Sequence, residues 1–185
     1  MKKIISRTLI ILGLLIIAVP RYLNYNTTKS NNDIVEQYEK AITTDTTDTK
    51  ETTEIPKNII GILEIPTIDI KVAIQEGTDE ETLKYAVGHF KETAQPGQQG
   101  NFAVAGHRAY TYNKFFSNLD EVKIGDEINV ITKEATYTYK VNSSEVVLPE
   151  QVEVLNSTDN KTITLITCTP KYSGTHRLVL KGELK

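Results

Sequence analysis

Apolar and polar positions change rhythm twice along the 185-residue chain. From Ile4 to Val19 the side chains are mostly apolar, and Arg7 is the only charge among them. Residues 43–54 read Thr-Thr-Asp-Thr-Thr-Asp-Thr-Lys-Glu-Thr-Thr-Glu, without one apolar side chain. From Ile55 onward apolar residues recur in short runs or at every second position, the period of half-buried strands. That rhythm predicts strands at Ile59–Ile65, Ile68–Ile74, Asn101–Ala105, Glu127–Thr132, Thr136–Asn142, Glu145–Leu148, Thr162–Cys168 and Thr175–Lys181. Turn signals separate them at Pro66, Pro96-Gly97, Gly125-Asp126, Pro149, Asp159-Asn160 and Ser173-Gly174. Short helical turns fit Glu80–Ala86 and Asn113–Leu119. Many short strands with little helix predict an all-β domain, a barrel or a sandwich.

Three regions follow. Residues 1–23 form a cytoplasmic tip and a membrane signal-anchor. The uncharged core Leu9–Val19 is only 11 residues, short of the roughly 20 that span a bilayer. Ile4, Ile5, Tyr22 and Leu23 extend it, and Arg7 can snorkel to the head groups. Ala18-Val-Pro-Arg-Tyr offers no small-x-small cleavage site, so an uncleaved anchor is preferred to a signal peptide. Lys2, Lys3 and Arg7 place the N-terminus in the cytoplasm and the rest outside. Residues 24–54 read as a polar linker, because so few apolar side chains do not repay ordering entropy. Within it Ile34, Val35, Tyr38 and Ile42 have the spacing of a short amphipathic helix. Residues 55–185 make the folded domain.

Charge sharpens the division. Residues 1–32 sum to +5, residues 33–54 to −5 and residues 55–185 to −3. The chain as a whole carries −3, which does not fit a nucleic-acid binder held by phosphate contacts. A single cysteine excludes an internal disulfide and a multi-cysteine metal site. Three scattered histidines make a histidine metal site a poor fit.

That cysteine, Cys168, ends the run Thr162-Ile-Thr-Leu-Ile-Thr-Cys. Strand parity puts Thr164, Ile166 and Cys168 on one face and Ile163, Leu165 and Thr167 on the other. A lone thiol outside the cytoplasm is either a small buried hydrophobe or a nucleophile. His107 follows Ala105-Gly106 at another strand end, and His89 and His176 rival it as a base. Arg177 lies nine residues beyond Cys168, across the Ser173-Gly174 turn. A hairpin there brings guanidinium and thiol together, where a fixed positive fork favours a thiolate or an oxyanion. Cys, His and Arg at three strand ends fit acyl transfer: thiolate attack, imidazole as acid, arginine on the oxyanion.

The domain resembles the sortases, cysteine transpeptidases of Gram-positive surfaces. Thr164-Leu-Ile-Thr-Cys-Thr-Pro and Ala105-Gly-His-Arg carry the resemblance most strongly. Gly61-Ile-Leu-Glu-Ile-Pro-Thr-Ile, Val87-Gly-His-Phe, Pro96-Gly-Gln-Gln-Gly-Asn and Thr175-His-Arg-Leu-Val support it in order. The resemblance implies an eight-stranded β-barrel with one or two short helices. It implies Cys168 as nucleophile, His107 as proton donor and acceptor, and Arg177 on the oxyanion and substrate, with Ala105 and Thr167 touching substrate. The implied substrates are surface proteins with a Leu-Pro-x-Thr-Gly-like sorting signal, cut between Thr and Gly. The implied acceptor is an amine of the peptidoglycan precursor lipid II. No cofactor is implied; some members bind calcium, but Glu92 with Glu150 or Glu153 is too thin a set to predict a site.

Within the family, Thr167-Cys-Thr-Pro and Thr175-His-Arg-Leu resemble pilin-polymerising members. Those usually carry an Asp-Pro-aromatic lid motif and a second, C-terminal span, whereas this chain shows one N-terminal anchor before a compact domain. That points to class A or class D and to wall anchoring over pilus assembly. An L,D-transpeptidase would want a glycine-rich Ser-x-Gly-Cys string in place of Leu165-Ile-Thr-Cys. A non-catalytic wall- or peptide-binding β module would bury Cys168 away from alkylating reagents.

Overall fold

The computed structural model describes residues 2–44, 58–108 and 115–185. One helix, α1 (Lys2–Thr44), precedes eight strands. They are β1 (Ile59–Ile65), β2 (Ile70–Glu76), β3 (Val87–His89) and β4 (Gly100–Ala105), then β5 (Glu127–Ile131), β6 (Thr136–Val147), β7 (Lys161–Thr169) and β8 (His176–Leu184). A short helix α2 (Glu80–Tyr85) joins β2 to β3. The strands close into a barrel in the order β1-β2-β3-β4-β7-β8-β6-β5. The expected all-β, eight-stranded architecture is therefore the one observed.

The eight strands are not the eight that the alternation predicts. Thr136–Asn142 and Glu145–Leu148 merge into β6, which keeps pairing with β8 through a register shift between Val141 and Ser143. A bulge absorbs the phase slip that in sequence looks like a break. The strand that alternation misses, β3, has three residues, with Gly88 at its middle, and all three are buried. A cradle that tight carries no readable period. Of the helical turns, α2 is present, with Asp79 Oδ1 accepting the Thr82 N–H at 3.0 Å as its N-cap. The turn expected at Asn113–Leu119 falls partly outside the described residues.

Inside the barrel, Leu63, Ile65, Ile74, Val87, Phe102, Val104, Ile128, Val130, Tyr139, Ile163, Leu165 and Leu180 interdigitate without exposure to solvent. Phe116 and Leu119 plug one end from the β4–β5 connection.

Residues 24–44 extend the amphipathic helix expected around Ile34, Val35, Tyr38 and Ile42, whose side chains pack as that spacing predicts. They continue α1 as helix, and its last turns pack against the barrel. Thr27, Asn31, Val35 and Tyr38 form the buried stripe at helical spacing. Two of the four are polar, which is why hydrophobicity alone reads this stretch as solvated. The Asn31 amide donates to the Tyr85 carbonyl at 2.9 Å, and Tyr38 donates to the Ile60 carbonyl at 3.0 Å. Lys71 on β2 pairs with Glu39 at 2.5 Å. The rest of the expected linker, residues 45–54, lies outside the described residues.

The 43-residue helix is about 65 Å long at 1.5 Å per residue, twice a bilayer's hydrocarbon core. Its first half is apolar and outward: Leu9, Ile16 and Ile17 are each more than 60% exposed. Length and composition suit a membrane span, and the second half is the rod that meets the domain.

Replacing Tyr38 by Phe removes the bond to Ile60 and should lower stability by about 1 kcal/mol. Urea unfolding of the full chain in detergent measures it, with faster amide exchange expected over residues 34–44. Unchanged exchange there would show that this bond does not hold the helix.

Candidate active site

The cysteine strand β7 has a partner on each side. On one side it pairs antiparallel with β8, and Cys168 stands directly opposite Arg177. Opposed residues share a face, so sulfur and guanidinium both point outward from the barrel. On the other side β7 pairs parallel with β4 through six matched positions, ending at Ala105 opposite Ile166. Past that point the chain stays alongside. The Gly106 N–H donates to the Ile166 carbonyl at 3.1 Å, and the Thr167 hydroxyl donates to the Gly106 carbonyl at 2.7 Å. The register thus carries His107 level with Cys168, opposite the side taken by Arg177.

The same outward face supplies a floor. Ile166, Val179 and Val147 form an apolar cluster covered by Phe90, Val154 and Leu155. Val154 and Leu155 belong to a 3-10 turn at Val152–Leu155 in the β6–β7 connection. That turn is pinned to the barrel through the Asn101 side-chain amide, which donates to the Val154 carbonyl at 3.0 Å. Asn101 is itself held by the Thr164 hydroxyl at 2.7 Å. The result is a covered apolar cluster on the thiol's face of the barrel, with partly exposed Ala105 on its β4 side.

Each polar group has a defined setting. Cys168 is a free thiol, half-buried. The β7–β8 turn passes close over it: a Cβ on Gly174 would lie 3.8 Å from the sulfur, and Gly174 has φ of +61°, where a side chain is disfavoured. Arg177 Nη1 donates to the Gly174 and His176 carbonyls at 2.9 and 3.0 Å, which fixes the guanidinium beside that turn. His107 is half-buried, and burial lowers its pKa below the ordinary imidazole value, while the negative charge of Glu80 on α2 opposes the shift. Its carbonyl accepts the Phe116 N–H at 3.0 Å.

The rival histidines stand elsewhere. His89 is fully buried, with Nδ1 3.1 Å from Glu76 Oε1 and Nε2 3.1 Å from the Ala94 carbonyl. Both nitrogens are spent on structure. His176 neighbours Arg177 on β8, so its side chain leaves the other face, and Nδ1 is 2.9 Å from the Thr175 hydroxyl. Thr167 is 2% exposed, and its hydroxyl is engaged by the Gly106 carbonyl. Strand parity already set it on the face opposite Cys168. Glu92, Glu150 and Glu153 are exposed, and among the described residues no group of three or more His, Cys, Asp and Glu is placed to hold a metal.

One residue escapes sequence reasoning altogether. Arg108 is 5% exposed, and its guanidinium meets both Thr169 and Asp120. Its one sequence signal is adjacency to His107, and an arginine after a strand end reads as a surface residue.

A family model described as the sortase domain matches residues 63–185. Sortase A of Streptococcus agalactiae serotype III (strain NEM316) is 32% identical over 151 residues, covering 79% of this chain and 61% of that protein. The chain thus spans less than two thirds of that relative's length. Among solved structures, a Clostridium perfringens sortase D5 transpeptidase superposes with a TM-score of 0.72 at 33% identity, over 85% of this chain and 99% of that one. The sortase C1 of GBS pilus island 1 superposes with 0.75 at 25% identity, over 84% and 92%. A closed barrel with its lone thiol between a histidine segment and an arginine strand, matched along most of its length, places this chain in the sortase family of cysteine transpeptidases.

Proposed function

We propose that the protein anchors surface proteins to the cell wall by transpeptidation at a Leu-Pro-x-Thr-Gly-like sorting signal. The observation that carries this reading is the outward placement of Cys168 between Arg177 and the His107 segment, on the face that bears the covered apolar cluster of Ile166, Val179 and Val147. In this reading an extended peptide lies across the outer face, over the partly exposed Phe90, Val154 and Leu155 that cover that cluster, with its Thr carbonyl carbon over the sulfur. The Cys168 thiolate attacks that carbon, and the Nε and Nη2 donors of Arg177 receive the developing oxyanion. The Thr–Gly C–N bond then breaks, and the departing amine takes a proton from the His107 imidazolium. An acceptor amine attacks the thioester, gives its proton to His107 and releases the thiolate. The acceptor in this reading is the amine of lipid II.

The apolar half of α1 anchors the chain once in the membrane, N-terminus inside, with the barrel outside. This keeps the enzyme beside a lipid-linked acceptor. Pilin polymerisation, in which a lysine side chain is the acceptor, is the second reading, favoured by the likeness to the pilus-island sortase C1.

The test is incubation of the full chain in detergent with a library of Leu-Pro-x-Thr-x peptides plus glycine or lysine amines, followed by mass spectrometry. A thioester on Cys168 and an amide product are expected, and the preferred amine separates wall anchoring from pilus assembly. Cys168→Ala should form neither species; turnover by that variant would remove Cys168 from the chemistry. His107→Ala and Arg177→Ala should fold normally and lose roughly 10²–10⁴-fold in kcat/KM.

The reacting form needs a thiolate and an imidazolium together, so kcat/KM should be bell-shaped with limbs that belong to the coupled pair. Burial depresses His107, and Glu80 partly offsets that by stabilising the protonated ring. Glu80→Gln should therefore move the His107 titration further down, as followed by NMR of the imidazole carbon. An upward movement would contradict the assigned cause.

A further inference from the structure

Arg108 follows His107 in the chain but turns its side chain into the protein, 6% exposed. Its Nη1 donates to Thr169 Oγ1, and its Nη2 lies 2.7 Å from Asp120 Oδ2. Thr169 is the residue after Cys168. Asp120 sits in a 3-10 turn, Leu119–Glu121, whose Leu119 plugs the barrel. One guanidinium thus joins the segment after β4, the end of β7 and the barrel plug.

We infer that Arg108 is a positioning residue for transpeptidation, clamping the segment that bears His107 to the strand end that bears Cys168. The inference rests on the roles proposed above for those two residues. Backbone pairing between β4 and β7 ends at Ala105, and Gly106 makes the last main-chain link to β7. The Arg108 fork to Thr169 extends that link past the reacting pair, so His107 and Cys168 are tied both before and after their own positions.

Energetics separate this from a merely stabilising role. A buried guanidinium is expensive to desolvate, and an apolar side chain of similar volume is often neutral or better for stability. The Arg108 Nε is buried without a hydrogen-bond partner, which adds to that cost. What the guanidinium supplies and an apolar group lacks is direction, with donors in a rigid planar fork that reaches two segments together. Asp120 supplies the countercharge from a half-exposed position. Its partial burial raises its pKa, but the Arg108 hydrogen bond, a backbone N–H and the Arg108 and Lys171 charges outweigh that and hold it below the ordinary range. Asp120 is accordingly ionised at neutral pH and the fork keeps its orientation.

The experiment uses the full chain in detergent with a sorting peptide and an amine, and the variants Arg108→Gln, Arg108→Lys and Thr169→Val. A displacement near 1 Å at the reacting pair should cost about 100-fold in kcat for Arg108→Gln, with KM within about threefold. Iodoacetamide alkylation of Cys168 should stay close to the unaltered rate, since the thiol keeps its own strand. Arg108→Lys keeps the charge but lacks the fork, and should recover only part of kcat. Thr169→Val should lower kcat by itself, and its effect should not multiply with that of Arg108→Gln, because both cut one link. Unchanged kcat in folded Arg108→Gln, or multiplicative effects, would overturn the inference. If Arg108→Gln does not fold, folded Thr169→Val with unchanged kcat overturns it alone. Absence of a thioester in the unaltered chain defeats the functional reading and this one with it. Equal thioester rates in the unaltered chain and Arg108→Gln defeat only the clamp.

Discussion

The parallel pairing of β4 with β7 is the constraint on which the site depends. About 60 residues separate the paired positions, from Gly100 opposite Lys161 to Ala105 opposite Ile166. A parallel ladder cannot close through a tight turn, so the intervening chain must leave and return. It does so as β5 and β6, which complete the far wall of the barrel and lead into the 3-10 turn that covers the apolar cluster on the thiol's face. Without that register a histidine and a cysteine so far apart in sequence have no reason to stand level. The antiparallel β7–β8 hairpin then adds Arg177 through a local turn, which is the easier contact to form.

Polar groups around this ladder are arranged by depth. The side chains proposed to react are half-buried on the outer face, while those that hold the backbone are buried behind them. Thr167 grips Gly106, Asn101 grips the Val152–Leu155 turn, and Arg108 grips Thr169 and Asp120. Buried polar groups that are paired define geometry more sharply than apolar contacts, because their bonds are directional. Burial also disfavours the charged form of His107. An imidazole that prefers neutrality gives up its proton readily, which suits the acid role proposed for it.

The helix α1, whose first half has the length and composition of a membrane span, meets the barrel as a docked rod and not as a loose tether. Its polar buried stripe, with Asn31 on the Tyr85 carbonyl and Tyr38 on the Ile60 carbonyl, docks it against α2 and β1. Since α2 also carries Glu80, whose charge reaches His107, the anchor helix and the site share a structural neighbour.

By itself the sequence determined the strand rhythm, the parity that separates Cys168 from Thr167, and the local hairpin that pairs Cys168 with Arg177. These follow from a period of two and from turn residues, which are properties of neighbours along the chain. It also carried the family resemblance, through the strings around His107 and Cys168. Only the tertiary structure showed that the chain after Ala105 runs alongside the end of β7, because a parallel register depends on a crossover that no local pattern encodes. Only it showed that β6 is one bulged strand, that three residues around Gly88 make a strand, and that residues 24–44 are docked helix. Around Gly88 small and polar residues leave no hydrophobic period to read, whereas in the helix Ile34, Val35, Tyr38 and Ile42 carry a legible stripe that the buried polar Thr27 and Asn31 extend without one. Arg108 belongs with them: its meaning lies in Thr169 and Asp120, one distant in sequence and the other twelve positions further along, joined to it only when the barrel closes.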